Sequence, residues 1–143
     1  MQNTCALKVG RLLEIRASKG FRAQADVNAF FEAIEAKLAK VPNGVQVVTA
    51  VDWRECPLMS SSVSECLLAK MTGINLRTDL GAAIASPESP ILVLQFLRLV
   101  RDSHHSRRKL FFHNSELTNW LKPSITGEEF QRLGEFLAEY RPH

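Results

Sequence analysis

The length, composition and charge of the chain are those of an ordinary globular domain. It has 143 residues, of which 45% are hydrophobic and 23% charged, and a formal net charge of +3. A chain of this size usually forms one domain and buries about 68–70% of the surface that its unfolded form exposes, so it needs no disulfide or metal to fold. So weak a positive charge does not by itself indicate nucleic-acid binding, which favours a dense basic face.

The cysteines exclude two classes of small stabilised fold. Cys5, Cys56 and Cys66 are odd in number and irregularly spaced, which excludes a disulfide framework. No Cys-x-x-Cys motif and no Cys/His cluster with zinc-finger spacing is present, and we expect neither a metal nor a cofactor. A reducing, cytoplasmic setting fits best, since no signal peptide is recognisable and the longest apolar run, Ile91–Leu94, is far short of the about 20 residues of a membrane span.

The first third of the chain predicts one strand and one helix. Residues 1–10 have no clear pattern and are interpreted as a loose lead-in. Residues 12–16 alternate weakly and predict a short strand near an edge of the sheet. Asp26 can cap an amphipathic helix that ends before the Pro-Asn-Gly sequence at 42–44, because Asn-Gly tolerates positive φ.

The segment from Val45 to Met71 is the most informative part of the sequence. Residues 45–51 are mostly apolar without alternation, which is typical of a central parallel strand covered on both faces. Asp52 and Trp53 follow it, and a second helix is predicted from about Ser60. Open α/β domains usually place their sites after the carboxyl ends of such strands.

The third predicted helix carries more apolar residues than one face of a sheet needs. It follows a short strand of small residues at 81–85 and begins at a Ser-Pro pair, either 86–87 or 89–90. Eight of the ten residues from Ile91 to Val100 are apolar. The surplus predicts either burial between the sheet and the last helix or an interface, and a homodimer is the interpretation that we favour.

The last third completes an alternating pattern. Residues 109–113 predict a strand, Ser115 can cap a short helix, and Thr126 with Glu129 forms a capping box before the last amphipathic helix. The order β-α-β-α-β-α-β-α-α predicts a single α/β domain over 1–143, with a core at about 10–140. We expect a sandwich of about four mostly parallel strands and about five helices.

The element order and the residues from Val47 to Leu68 resemble the STAS superfamily, the sulfate-transporter and anti-sigma-factor-antagonist fold, and especially its small stand-alone bacterial members. In that family a hydrophobic strand and a loop lead to an Asp-Ser-Ser-Gly-Leu-like segment that opens a helix. The second serine of that segment is phosphorylated and controls partner binding. The resemblance places that role at Ser62, with Ser61 adjacent, although Ser60 and Val63 stand where the family has aspartate and glycine.

The three serines have two interpretations. A phosphate on Ser61 or Ser62 would lie at a helix N-terminus, where free N–H groups stabilise it and its charge of about −1.5 to −2 alters any docking surface. Alternatively, Ser60 or Ser61 simply caps the helix, since serine is among the best N-cap residues.

The candidate site combines residues that follow two strands. Its members are Asp52, Trp53, Ser60, Ser61, Ser62 and His113. Cys56 or a serine could serve as a nucleophile with His113 as base, but no G-x-S-x-G motif surrounds the serines. Trp53 could instead cover a pocket for a small molecule or lipid, between the second and third helices.

A basic cluster lies between residues 98 and 109. Its seven members are Arg98, Arg101, His104, His105, Arg107, Arg108 and Lys109, with Asp102 as the one acid. It could bind an anionic ligand, or it could be a solvated loop whose cations stabilise the end of the third helix.

Taken together, the sequence predicts a non-enzymatic regulatory domain of bacterial signalling that binds a protein partner and is switched by serine phosphorylation. A small-molecule or lipid-binding domain is the first alternative, and a Ser/Cys-His hydrolase is the second.

Overall fold

The computed structural model describes residues 3–140 as a five-stranded sheet with helices on both faces. The strands are β1 (Thr4–Val9), β2 (Leu12–Arg16), β3 (Val47–Asp52), β4 (Thr78–Ile84) and β5 (Arg108–Phe111). The helices are α1 (Gln24–Leu38), α2 (Ser61–Gly73), α3 (Pro90–Asp102), α4 (Asn114–Leu121) and α5 (Gly127–Ala138), with 3-10 turns at Asn75–Arg77 and Lys122–Ser124. No helix within residues 3–140 has the length and apolar character that a membrane crossing requires.

The strands lie side by side in chain order. β1 pairs with β2 in antiparallel fashion, and the pairs β2–β3, β3–β4 and β4–β5 are all parallel. The predicted α/β class, with a mostly parallel sheet and five helices, is confirmed. The sheet has one strand more than the four that we expected.

The additional strand is β1, and the interpretation of residues 1–10 as a loose lead-in was wrong for the described part. Cys5, Leu7 and Val9 alternate with more polar residues, which is the period-2 signal of a strand with one face covered. Gly10 has a φ of +56° and turns the chain directly into β2. β2 is therefore paired on both sides, and its first four residues are buried. It lies next to the edge strand β1, which agrees with its predicted position near an edge of the sheet.

The two faces of the sheet pack against different helices. Successive residues of β3 divide between two cores, with Val47 among residues of α1, α2 and α3 and Val48 among residues of α4 and α5. Because both faces are covered, Val47 to Ala50 are all buried, which explains why the strand shows no alternation in the sequence.

Three helices begin at capping residues that the sequence predicted, and two begin differently. Ser60 and Ser89 each accept a hydrogen bond from the backbone N–H three residues on, and the capping box of Thr126 and Glu129 is present. Asp26 stands within α1 rather than before it, and accepts hydrogen bonds from the backbone N–H groups ahead of the helix.

The start of α4 differs more. The residue before this helix is His113, not Ser115, and its side chain makes no capping hydrogen bond.

The position of α3 decides between the two interpretations of its apolar surplus. α3 packs on the same face as α1 and α2, whereas α5 lies on the opposite face, so α3 is not buried between the sheet and the last helix. Phe96 and Leu99 are buried, and Ile91, Leu94 and Leu97 remain exposed. An unpartnered apolar stripe is left on the surface.

Candidate functional site

Asp52, the last residue of β3, is the centre of a buried ionic cluster. Its Oδ1 accepts hydrogen bonds from the backbone N and the Nε of Arg54, both at 3.0 Å. Its Oδ2 accepts from Arg54 Nη2 at 3.1 Å and from Arg16 Nε at 3.2 Å. Burial alone would raise the pKa of Asp52, but the hydrogen bonds and charge of Arg54, together with Arg16, lower it below its ordinary value.

The two arginines connect this carboxylate to the end of α5. Arg16 Nη2 donates to the carbonyl oxygen of Phe136 at 2.6 Å, and Arg54 Nη2 donates to that of Leu137 at 2.9 Å. Arg16 also lies over the Phe136 ring, 4.3 Å from its centroid, and Arg54 over the Tyr140 ring at 4.1 Å. Cations at a helix C-terminus satisfy its free carbonyl groups and its negative dipole end. The hydrogen-bonding capacity of Asp52 is therefore used in fastening α5 to the sheet.

Trp53, the residue after Asp52, is buried. Only 5% of its surface is accessible, and its indole ring stacks on Phe96 of α3, with centroids 4.6 Å apart and planes 18° apart. Its backbone N–H donates to the carbonyl oxygen of Ile84 at the end of β4. Trp53 thus closes this end of the sheet against α3.

Cys56 and His113 are not assembled into a nucleophile and base. Cys56 is buried, which raises the pKa of its thiol to about 12, so the thiol is protonated at neutral pH. His113 is exposed, and the ionic contact of its ring is with Glu116, at 3.9 Å. Within residues 3–140 its ring makes no hydrogen bond to Cys56 or to a serine of the 60–62 segment. The geometry gives the hydrolase alternative no support.

The carboxyl ends of β3 and β5 nevertheless approach each other, as the parallel sheet predicts. Arg54 Nη1 donates to Asn114 Oδ1 at 3.1 Å, which joins the loop after β3 to the first residue of α4. The sequence analysis did not single out Arg54 or Arg16. The signal that could have identified them is a buried carboxylate at a strand end, which needs cationic partners.

The three serines lie at the exposed N-terminal end of α2. Ser60 is the N-cap, and its Oγ accepts a hydrogen bond from Val63 N at 3.3 Å. The hydroxyl of Ser62 is 3.4 Å from that of Ser60. Ser61 borders an open groove between α2 and α3, and Ser62 does not. The serine nearest to a concave surface is therefore Ser61.

The groove between α2 and α3 has a mixed lining, with apolar and polar residues in equal number. It encloses about 520 Å³, and its lining residues are Leu58, Met59, Ser61, Ser64, Glu65, Leu68, Ile91, Leu94, Gln95, Arg98, Leu99 and Asp102. Three of them are large apolar residues that stay mostly exposed: Leu58 at 56%, Ile91 at 65% and Leu94 at 62%. Gln95 of α3 forms two hydrogen bonds with the backbone of Met59, at 3.1 and 2.9 Å, and so holds the loop before α2 against α3.

The basic cluster of residues 98–109 does not form one cationic surface. Arg101 pairs with Asp102 at 2.8 Å, and Arg107 pairs with Asp79 at 2.8 Å. Arg108 turns towards the interior of the protein and lines an internal cavity. The cluster is therefore partly neutralised by neighbouring acids, and binding of an anionic ligand there stays a prediction.

No group of three or more His, Cys, Asp or Glu side chains within residues 3–140 is placed to hold a metal ion together. Comparison with known proteins returned no matching family model, no matching curated protein and no matching solved structure.

Proposed function

We propose that this protein is a non-enzymatic regulatory domain that binds a protein partner in the groove between α2 and α3. The observation that carries the proposal is the row of Leu58, Ile91 and Leu94, exposed at the rim of a groove with helical walls. Contiguous exposed apolar surface in a globular protein usually marks an interaction site.

The occupant that fits the groove is an amphipathic helix of the partner. Two helices form the walls, and apolar anchors spaced by a helical turn suit an apolar helix face laid between them. The walls carry charges of both signs, Glu65 on α2 and both Arg98 and Asp102 on α3. The exposed apolar anchors, rather than one charge pattern, therefore carry the fit to the partner helix.

Ser61 is the switch residue in this proposal. A phosphate there would lie at the N-terminus of α2, where free N–H groups stabilise it, and at the border of the groove, where it would add about two negative charges beside Leu58. Phosphorylation would therefore weaken binding of an apolar helix. The resemblance to the STAS superfamily supports a switch in this segment, and it is the basis for placing the protein in bacterial signalling. Three free thiols suit a reducing cytoplasm.

The test of the groove uses Leu94→Asp, with Leu76→Asp as the matched control, because Leu76 is 89% exposed and lies in the turn after α2, outside the groove. A photo-reactive amino acid in place of Leu58 should cross-link a segment of the partner. A peptide with the sequence of that segment should then bind the isolated wild-type protein as a helix. Leu94→Asp should weaken that peptide about tenfold or more, and Leu76→Asp should leave it unchanged. Cross-links that map elsewhere, or peptide binding that ignores Leu94→Asp, would contradict the proposal.

The switch is tested with Ser61→Asp against Ser62→Asp. Both serines are exposed in the first turn of α2, and Ser61 alone of the two borders the groove. Ser61→Asp should weaken the peptide more than Ser62→Asp does. Equal effects would show that the charge acts on the helix and not through the groove.

Light scattering distinguishes a second copy of the chain from a different partner. If the wild type is a dimer and the Leu94→Asp variant is a monomer, the exposed face of α3 pairs with the same face of a second copy. That result would contradict a partner helix and support the homodimer that the sequence suggested.

A further inference from the structure

The most exposed large apolar side chain within residues 3–140 lies away from the groove, at the end of the sheet where the parallel strands begin. It is Leu76, which is 89% exposed and stands in the 3-10 turn between α2 and β4. Val45, 37% exposed, belongs to the loop before β3. Gln46 Nε2 of that loop donates a hydrogen bond to the carbonyl oxygen of Leu76 at 3.0 Å. The two apolar residues therefore belong to loops that are in contact.

The exposure of Leu76 does not come from a loose loop. Asn75 Nδ2 donates to the carbonyl oxygen of Ser103 at 2.7 Å, and Arg77 Nη2 donates to that of Leu38 at 2.9 Å. Together with the hydrogen bond from the loop before β3, these contacts fasten the turn to three other segments of the chain. The turn thus holds an uncovered leucine in a fixed position.

The loops around Leu76 contain cations and no acidic residue. They are residues 39–46, 74–77 and 103–107, which precede β3, β4 and β5. Their basic side chains are Lys40, Arg77, His104, His105 and Arg107. The carboxylates next to these loops in the chain are already paired, Asp79 with Arg11 and Arg107, and Asp102 with Arg101. The surroundings of the exposed leucine therefore keep an excess of positive charge.

We propose that the basic face, formed by the loops 39–46, 74–77 and 103–107, binds peripherally to an anionic lipid surface, with Leu76 inserted among the acyl chains. Peripheral binding combines buried apolar area with electrostatic attraction to anionic headgroups. Leu76 and Val45 provide the apolar area, and the cations of the three loops provide the attraction. This face is separate from the groove between α2 and α3, so the inference does not rest on the proposed function.

An anionic lipid surface suits the basic face better than a nucleic acid does. Proteins that bind single strands use aromatic side chains on which the bases stack. The three loops contain no Phe, Tyr or Trp, and their most exposed apolar residue is an aliphatic leucine. An aliphatic side chain gains free energy by leaving water for hydrocarbon, whereas a phosphate backbone offers it only charge.

The test is co-sedimentation of the wild-type protein with vesicles of phosphatidylcholine alone and with vesicles of equal parts phosphatidylcholine and phosphatidylserine. The wild type should bind the second kind and not the first. Leu76→Ser should weaken that binding about tenfold or more, because a leucine side chain no longer leaves water. Leu94→Ser, at the 62% exposed leucine of α3, is the control and should bind like the wild type. Equal binding to both vesicles, or no loss on Leu76→Ser, would overturn the inference.

The contribution of the charge is tested with Lys40→Gln against Lys19→Gln. Both lysines are exposed, but Lys40 lies on the basic face and Lys19 follows β2 at the opposite end of the sheet. Lys40→Gln should weaken binding to the phosphatidylserine vesicles about fivefold, and Lys19→Gln should not. Equal losses would show that only the net charge matters and would contradict a specific face.

Oligothymidine is the probe for nucleic acid. It should not bind the wild type under conditions in which the phosphatidylserine vesicles do. If oligothymidine binds and the vesicles do not, the basic face serves nucleic acid and the inference is overturned.

Discussion

The Arg54 guanidinium binds the Asp52 carboxylate in a two-pronged arrangement, from Nε to Oδ1 at 3.0 Å and from Nη2 to Oδ2 at 3.1 Å. Both residues are shielded from solvent, and the same guanidinium continues to the carbonyl oxygen of Leu137 and the ring of Tyr140. Asp52, which the sequence marks as a candidate site residue because it follows a central strand, therefore holds α5 to the sheet.

Asp52→Asn should destabilise the protein by about 3 kcal/mol at pH 7, because it leaves the shielded charges of Arg16 and Arg54 without their common carboxylate. Urea unfolding followed by circular dichroism measures the loss. Asp102→Asn, at an exposed ion pair, is the matched control and should leave the urea midpoint unchanged. Equal midpoints for Asp52→Asn and the wild type would contradict the structural role.

The contribution of Asp52 should depend on pH in one direction. Its folded-state pKa lies below the ordinary value of 3.8, so between the two pKa values the unfolded chain binds more protons and stability rises with pH. The contribution is complete above about pH 5 and is lost as the pH falls through the folded-state pKa. The difference in unfolding free energy between wild type and Asp52→Asn should therefore shrink below about pH 4. A constant difference from pH 7 to pH 2.5 would contradict this.

Glu14 and Arg132 should be strongly coupled. Glu14 is buried in β2, and Arg132 of α5 donates to its two oxygens at 2.8 Å each. Arg132→Met should cost about 3 kcal/mol, since it leaves a buried carboxylate without a partner. Glu14→Gln should lower the free energy of unfolding less in the Arg132→Met variant than in the wild type. A double-mutant cycle by urea unfolding measures the coupling, and additive effects would show that the pair does not contribute as a unit.

Phe96→Ala should destabilise the protein by about 3–5 kcal/mol, because it removes a buried ring that stacks on Trp53. The near-ultraviolet circular dichroism of Trp53 should weaken as its packing partner disappears. Leu97→Ala, at the adjacent and 44% exposed position of α3, is the control and should have a much smaller effect. Similar losses for the two variants would contradict the position of Phe96.

Cys56 should resist alkylation in the folded protein. Burial raises the pKa of its thiol to about 12, so at pH 8 only about one molecule in ten thousand carries a thiolate. Iodoacetamide should modify Cys5 and Cys66, which are only half-buried, before Cys56, and mass spectrometry of tryptic peptides gives the order. In urea all three should react at similar rates. Early modification of Cys56 in the native state would contradict its burial.

Much of the architecture follows from local patterns in the sequence. The amphipathic spacing of α1 and α5, the serine before each of α2 and α3, and the box of Thr126 and Glu129 act over a few residues and are visible without a fold. β1 was missed because its short alternation of Cys5, Leu7 and Val9 is weak, and its pairing partner is what makes it a strand.

The site was less predictable, because side-chain partners come from distant parts of the chain. The sequence predicted a serine cap at Ser60 or Ser61, because an N-cap hydrogen bond spans only three residues, and the structure shows that the cap is Ser60. The burial of Trp53 depends on Phe96, 43 positions later, and only the packing of α3 on the sheet brings the two rings together.

The segment from Val45 to Met71 shows the division between sequence and tertiary structure. The sequence by itself determined a buried strand, a polar strand end and a serine-capped helix, because hydrophobic pattern and capping are local properties. Tertiary structure decided that Asp52 is neutralised by Arg16 and Arg54 and that Ser61 rather than Ser62 borders a groove. Those outcomes depend on which helix covers which face of the sheet, and burial then sets the charge, exposure and reactivity of each side chain.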